Sequence, residues 1–179
     1  VDPTNGSDVG RDAYGRPSRL WVPKWAPKAD VVELKIEQMT EENHFEMRSW
    51  RYPPPFDFYD GDVDEPESPE RYFAALDHDG AFAGFYYFEE KPPDLDYGLG
   101  LRPDLVGRGL GQEFFVRGLE FARERYRPRR VYLHVAEFNE RARKVYERDG
   151  FEVVSRHVRT FERFGEVPFL TMAAPEEYG

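Results

Sequence analysis

The sequence contains no cysteine, which removes disulfides, thiolate zinc sites and a cysteine nucleophile together. It also lacks any run of about 18 apolar residues, and its first residues show neither the basic nor the apolar region of a signal peptide. These absences give the expectation of a soluble, cytoplasmic protein. Basic residues are in the minority, 25 Lys and Arg against 35 Asp and Glu, for a formal charge of -10. That balance disfavours a general nucleic-acid binder or a protein drawn to anionic membranes, although a local basic patch could still hold a phosphate. What is present suffices for one domain: 179 residues, 40% of them hydrophobic and 16% aromatic, can fill a single core.

Residues 1–30 are rich in Gly, Pro and Asp and read as an extended arm, with Trp21 and Trp25 as groups that need somewhere to dock. The domain is expected from 31 to 179. Apolar spacing predicts a strand over 31–36 and a helix over about 41–51, opened by Thr40 with Asn43 three positions on and stopped by Pro53 to Pro55. The acidic stretch over 56–68 reads as a long loop or a short broken helix. Strands are predicted over 71–77, 81–88 and 96–101, with Pro92-Pro93 breaking the chain between the last two. A helix is predicted over 112–126, a strand over 130–135, a helix over 139–149 closed by Gly150, and a hairpin over 151–161 and 167–172. The fold class is mixed α/β, with one central sheet flanked by helices.

The most informative string is Leu105-Val106-Gly107-Arg108-Gly109-Leu110-Gly111-Gln112-Glu113, between a predicted strand and a predicted helix. Glycines at alternate positions let the backbone curl and its amide hydrogens converge. The first turn of the helix adds unsatisfied donors and the positive end of its dipole, so an anion can be held without a side-chain charge. Arg108 could add one, and a Cβ at Gly109 is expected to crowd the turn. No Lys-Ser or Lys-Thr follows the glycines, and the spacing is not that of a dinucleotide fold, so the phosphates are expected to be anchored rather than transferred.

Farther along, Asn139, Ala142 and Tyr146 share one helix face at spacings of three and four. Asn139 can cap the helix, Ala142 leaves room for a chain to lie close, and Tyr146 presents a phenol that could give a proton to a thiolate. Packing of that ring against the sheet is the plainer use for it. Glu140 with Lys144, and Arg143 with Glu147, make i,i+4 ion pairs.

Taken in order, Arg102 to Gly111, the strand Val131-Tyr132-Leu133-His134-Val135 and the helix Asn139 to Phe151 resemble the acyl-CoA-binding core of the GNAT superfamily of N-acetyltransferases. The resemblance is close over 80–172 and loose over 31–79. It implies a central twisted mixed sheet splayed between two middle strands, here 96–101 and 131–135. It also implies coenzyme A pyrophosphate on the turn amides and the pantetheine arm between the splayed strands. By that resemblance the acetyl-CoA contacts are Leu99, Leu101, Val106, Gly107, Arg108, Gly109, Leu110, Gly111, Gln112, Asn139, Ala142 and Lys144. Val106 departs from the family pattern, in which a Gln or Arg commonly opens the glycine motif.

Direct transfer from a thioester to an amine needs a neutral amine, a polarised carbonyl and a stabilised departing sulfur, with no covalent enzyme intermediate. The resemblance makes Tyr146 the acid. Glu89 and Asp96 are the base candidates, with Glu90 behind them, while His134 reads equally as a structural histidine or a base. Trp50, Tyr52, Phe56, Phe58 and Tyr59 could line an acceptor pocket or form an aromatic mini-core. Asp57, Asp60, Asp62, Asp64 and Glu65 favour a cationic acceptor, an amine-bearing small molecule or peptide. The reading from another class is a non-catalytic acyl-CoA sensor or interaction protein on the same scaffold. A homodimer through the carboxy-terminal strands or the arm is left open by the sequence, and no metal cluster is recognised.

Overall fold

Alternating apolar residues make most of the chain's order through strand pairing. A computed structural model describes residues 34–60 and 68–175. The arm with its two tryptophans, residues 31–33 of the first predicted strand, and Asp62, Asp64 and Glu65 lie outside the described residues. The strands are β1 (Lys35–Gln38), β2 (Tyr72–Leu76), β3 (Phe82–Lys91), β4 (Asp94–Leu101), β5 (Val131–Ala136), β6 (Glu152–Phe161) and β7 (Gly165–Ala173). The helices are α1 (Glu41–Arg48), α2 (Gly111–Tyr126) and α3 (Glu140–Arg148). One seven-stranded sheet runs in the order β1-β2-β3-β4-β5-β7-β6. Every neighbouring pair is antiparallel except β4 with β5, which are parallel and joined through α2.

Local chemistry accounts for where the elements stop. Thr40 and Asn43 form a reciprocal capping box at the start of α1. That helix ends at Arg48, three residues short of expectation, because the Ser49 N–H bonds back to Glu46 and Met47, and Trp50 turns into the core. Pro92 and Pro93 form the tight turn between β3 and β4, where a missing N–H breaks no ladder bond; β3 therefore runs on to Lys91. Gly150, expected as a left-handed cap, has a φ of +81° after α3. Within 56–68, Phe56–Tyr59 makes a short 3-10 turn, the short helix of the two expectations.

Residues alternate between the two faces of the sheet. One face, carrying Tyr86, Phe88, Leu95, Tyr97 and Leu133, packs on Phe115 and Leu119 of α2 and Tyr146 of α3. The other face packs Ala74 and Phe82 against Met47 and Trp50 around α1. Helix α2 sits very close to the sheet at Gly118. The Tyr86 and Tyr97 hydroxyls there donate to the Phe114 and Phe115 carbonyls at 2.8 and 3.0 Å. A Cβ on Gly118 would lie 2.1 Å from the Tyr97 hydroxyl oxygen and 2.6 Å from the Tyr86 ring. The helix that opens with the glycine turn is thus fixed at its middle by two buried phenols.

Candidate functional site

Three glycines set the geometry of the turn into α2. Gly107 and Gly109 have φ of +83° and +82°, where only glycine is free of strain, and Gly111 is the first residue of the helix. Leu110 at the N-cap offers no side-chain hydrogen bond, so the helix enters with uncapped first-turn N–H groups. Val106 is more than a third exposed, and its N–H closes a turn onto Pro103. The donors available to an anion are therefore backbone amides, with the Arg108 side chain exposed beside them. Nothing lies within 4 Å of a Cβ built on Gly107 or Gly109. The expected crowding at Gly109 is therefore absent, and the constraint there is the backbone angle itself.

The second element is a split in the sheet. Strands β4 and β5 pair only through Leu95 with Val131, Asp96 with Tyr132 and Tyr97 with Leu133. Beyond that point β4 continues through Gly98 to Leu101 and β5 through His134 to Ala136, without partners in each other. Leu99 and Leu101 are half-buried along the opened edge, packed against the α2 side of the core. A slot bounded by two splayed strands and ending at a backbone anion cradle fits a long, thin ligand with a phosphate end. Acyl-coenzyme A has that form.

On α3, Asn139 caps the helix by accepting from the Ala142 N–H at 3.1 Å. Its side-chain amide donates to the Tyr59 hydroxyl at 3.2 Å, and the Ala136 N–H reaches the same oxygen at 3.4 Å. Tyr146 is buried, its ring centroid 5.0 Å from that of Phe115. Burial, with the nearby Tyr59 adding to it, pushes the Tyr146 phenol well above its ordinary range, so it keeps its proton at neutral pH. Gln112 sits differently from a ligand-facing residue: its side chain is buried and donates to Asp149 and to the Val145 carbonyl, tying α2 to α3. Only its backbone is left to meet a phosphate. The predicted ion pairs form, Arg143 to Glu147 at 3.3 Å and Lys144 to Glu140 at 3.9 Å.

The opposite face of the split carries the polar groups. Glu89 is held by Arg71 at 2.7 Å, with Lys91 at 3.5 Å. Asp96 is buried and paired with Lys91, and its second contact is His134 Nε2 at 3.4 Å. Burial works against ionisation of Asp96, but the hydrogen bonds and charges of His134 and Lys91 outweigh it and hold the carboxyl below its usual range. His134 Nδ1 lies 3.2 Å from the Thr171 hydroxyl of β7. Glu90 is exposed at the end of β3.

The five aromatics, read as either an acceptor pocket or an aromatic mini-core, separate into two groups. Trp50 packs on Phe82 and Phe85, with Tyr52 nearby and its hydroxyl on the Leu101 carbonyl. Phe58 instead meets Phe138, Phe161, Phe164 and Phe169, with Phe56 and Tyr59 also against Phe138. The rings pack against apolar partners in different elements, so they belong to two small clusters and not to one. Asp60 is likewise engaged, accepting from the Tyr52 N–H at 2.7 Å, and Asp57 faces Arg163 at 3.8 Å. The sequence leaves His134 between a structural use and a base. A single polar residue inside the apolar run Val131 to Val135 was the available signal.

The chain matches the acetyltransferase (GNAT) family model over residues 36–151. A mycothiol acetyltransferase of Mycolicibacterium gilvum is 30% identical over 144 residues, covering 74% of this chain and 45% of that protein. A mycothiol acetyltransferase of Thermobifida fusca is 34% identical over 111 residues, covering 56% and 33%. The chain thus spans less than half the length of these curated relatives. Among solved structures, the spermidine N-acetyltransferase from Vibrio cholerae in complex with CoA and spermine superposes with a TM-score of 0.65 at 17% identity, covering 78% of this chain and 94% of that one.

Proposed function

The chain belongs to the acetyltransferase (GNAT) family, and on that footing we propose that it moves an acetyl group from acetyl-CoA directly to a primary amine of a small molecule or peptide. The observation that carries the reading is the meeting of two features: a sheet that opens after three β4–β5 pairs, and a backbone cradle at the start of α2. Bound acetyl-CoA would supply an activated thioester. Gly107 to Gln112 would hold its phosphates through backbone N–H groups, with Arg108 adding charge and the exposed Lys144 of α3 as a further cation for them. The free edges of β4 and β5, with Asn139 and Ala142, would flank its arm. Tyr146, protonated at neutral pH, would give its proton to a developing thiolate. Glu89 and Asp96 bring two carboxylates to the acceptor face, each already paired with a cation, Glu89 with Arg71 and Asp96 with Lys91.

The matched proteins are named for two different compounds, mycothiol and spermidine, so the acceptor is proposed no more finely than a primary amine. Among the described residues no helix is long and apolar enough to cross a membrane.

Free-thiol release from acetyl-CoA, measured against a panel of small amines, polyamines and peptides, tests the reading. Amine-dependent release is the expected result. Coenzyme binding without release toward any of them would favour a sensor. The cradle has its own test. Gly109→Val forces a β-branched residue to a φ near +82°, a strain of about 1–3 kcal/mol. CoA affinity by calorimetry is expected to fall about tenfold or more, and unchanged affinity would mean that the turn does not hold the phosphates.

A further inference from the structure

The carboxylates that look like bases on the acceptor face are already engaged, Glu89 by Arg71 and Asp96 by Lys91. The group left at the mouth of the split is His134. It follows Leu133, the last residue of β5 to pair with β4, and its side chain is 28% exposed. Its two ring nitrogens face different chemistry. Nε2 is aimed at the Asp96 carboxylate at 3.4 Å and Nδ1 at the Thr171 hydroxyl at 3.2 Å. A carboxylate accepts only, so the neutral ring must carry its hydrogen on Nε2. That leaves the lone pair on Nδ1, where the Thr171 hydroxyl donates. His134 and Tyr146 belong to opposite faces of the sheet, since Leu133 and Val135 pack into the core that holds Tyr146 and His134 alternates with them.

We propose that His134 is the general base of the transfer, reached through Thr171 and held in the productive tautomer by Asp96. The inference rests on the acetyl-transfer reading. As the amine nitrogen bonds to the acetyl carbon, its N–H bond breaks and the proton goes to Thr171 Oγ1. Thr171 passes its own proton to Nδ1, and the C–S electron pair leaves on sulfur. The imidazolium formed faces the Asp96 carboxylate, and their long contact becomes a charge-assisted hydrogen bond. His134 and Thr171 are then catalytic residues, and Asp96 is a positioning residue. Other charged or titratable groups in the surroundings are Lys91 and Glu89 at the end of β3, His157 of β6, whose ring is 5.9 Å from that of His134, and Arg159 beside it.

The test uses the whole chain with spermidine, glucosamine and a tripeptide with a free amino terminus as acceptors. His134→Gln is expected to lower kcat about a hundredfold, leave CoA affinity by calorimetry unchanged and abolish the acid limb of the kcat/KM profile. Thr171→Val should lower kcat as well, whereas Thr171→Ser should restore it. Nitrogen-15 NMR of the ligand-free protein at alkaline pH should report an Nε2–H tautomer for His134, with that preference lost in Asp96→Asn. Turnover in His134→Gln equal to the parent's would overturn the base, and so would an Nδ1–H tautomer in the parent. A parent chain that binds CoA but turns over none of the three amines would overturn the transfer reading itself, and this inference with it.

Discussion

Tyr146→Phe is expected to lower kcat by about 10²- to 10³-fold at neutral pH, the range of a lost general acid, with CoA affinity essentially unchanged. The substitution removes one oxygen and keeps the ring, so the contact with Phe115 at 5.0 Å between centroids is retained. Burial raises the Tyr146 pKa, so the phenol is protonated across the working range and can donate without first being charged. A purely packing tyrosine would give the opposite pattern, a small shift in melting temperature and an unchanged kcat. Single-turnover kinetics with a verified amine, read beside calorimetric CoA binding, separates the two.

The largest expected effect on stability is at Gly118. A valine there would place its Cβ 2.1 Å from the Tyr97 hydroxyl oxygen and 2.6 Å from the Tyr86 ring, in a part of the core with no slack. Overpacking alone costs about 1–3 kcal/mol, and displacing the two phenols from the Phe114 and Phe115 carbonyls adds about 1–3 kcal/mol for each buried group left unpaired. Taking the lower part of that range, a loss of about 3–5 kcal/mol would lower the melting temperature by roughly 6–20 °C for a domain of this size. Gly98→Ala is the matched control, because its Cβ would meet Tyr87 at an ordinary 3.5 Å, and a change within about 1 kcal/mol is expected there. Thermal unfolding followed by circular dichroism reads both. Equal melting temperatures for the two variants would show that α2 can lift off the sheet at little cost.

Local signals made the order of elements and the cradle legible in the sequence. Alternation marked the strands, Thr40 and Gly150 marked helix ends, and three alternating glycines marked the turn. Partnerships made across the sheet were not legible. Asp96 and His134 are 38 positions apart, and Gln112 and Asp149 are 37 apart; only the parallel pairing of β4 with β5 and the docking of α3 on α2 bring them together. The same distance hid the state of Glu89, which reads as a free carboxylate until Arg71, 18 positions earlier, is seen beside it. Aromatic residues near one another in sequence, Trp50 to Tyr59, suggest one site, a pocket or a mini-core, yet the chain between them turns and delivers the rings to two different clusters.

The uncapped start of α2 has a consequence for how this protein should be mutagenised. An alanine scan removes side chains, and the groups proposed to hold the anion are main-chain N–H groups that every alanine variant retains. Val106, Arg108 and Leu110 could each be truncated with modest effect, and a scan would score the segment as dispensable. Only changes that alter the backbone's permitted angles, at Gly107 and Gly109, or that replace an amide with an ester, would expose what the segment does.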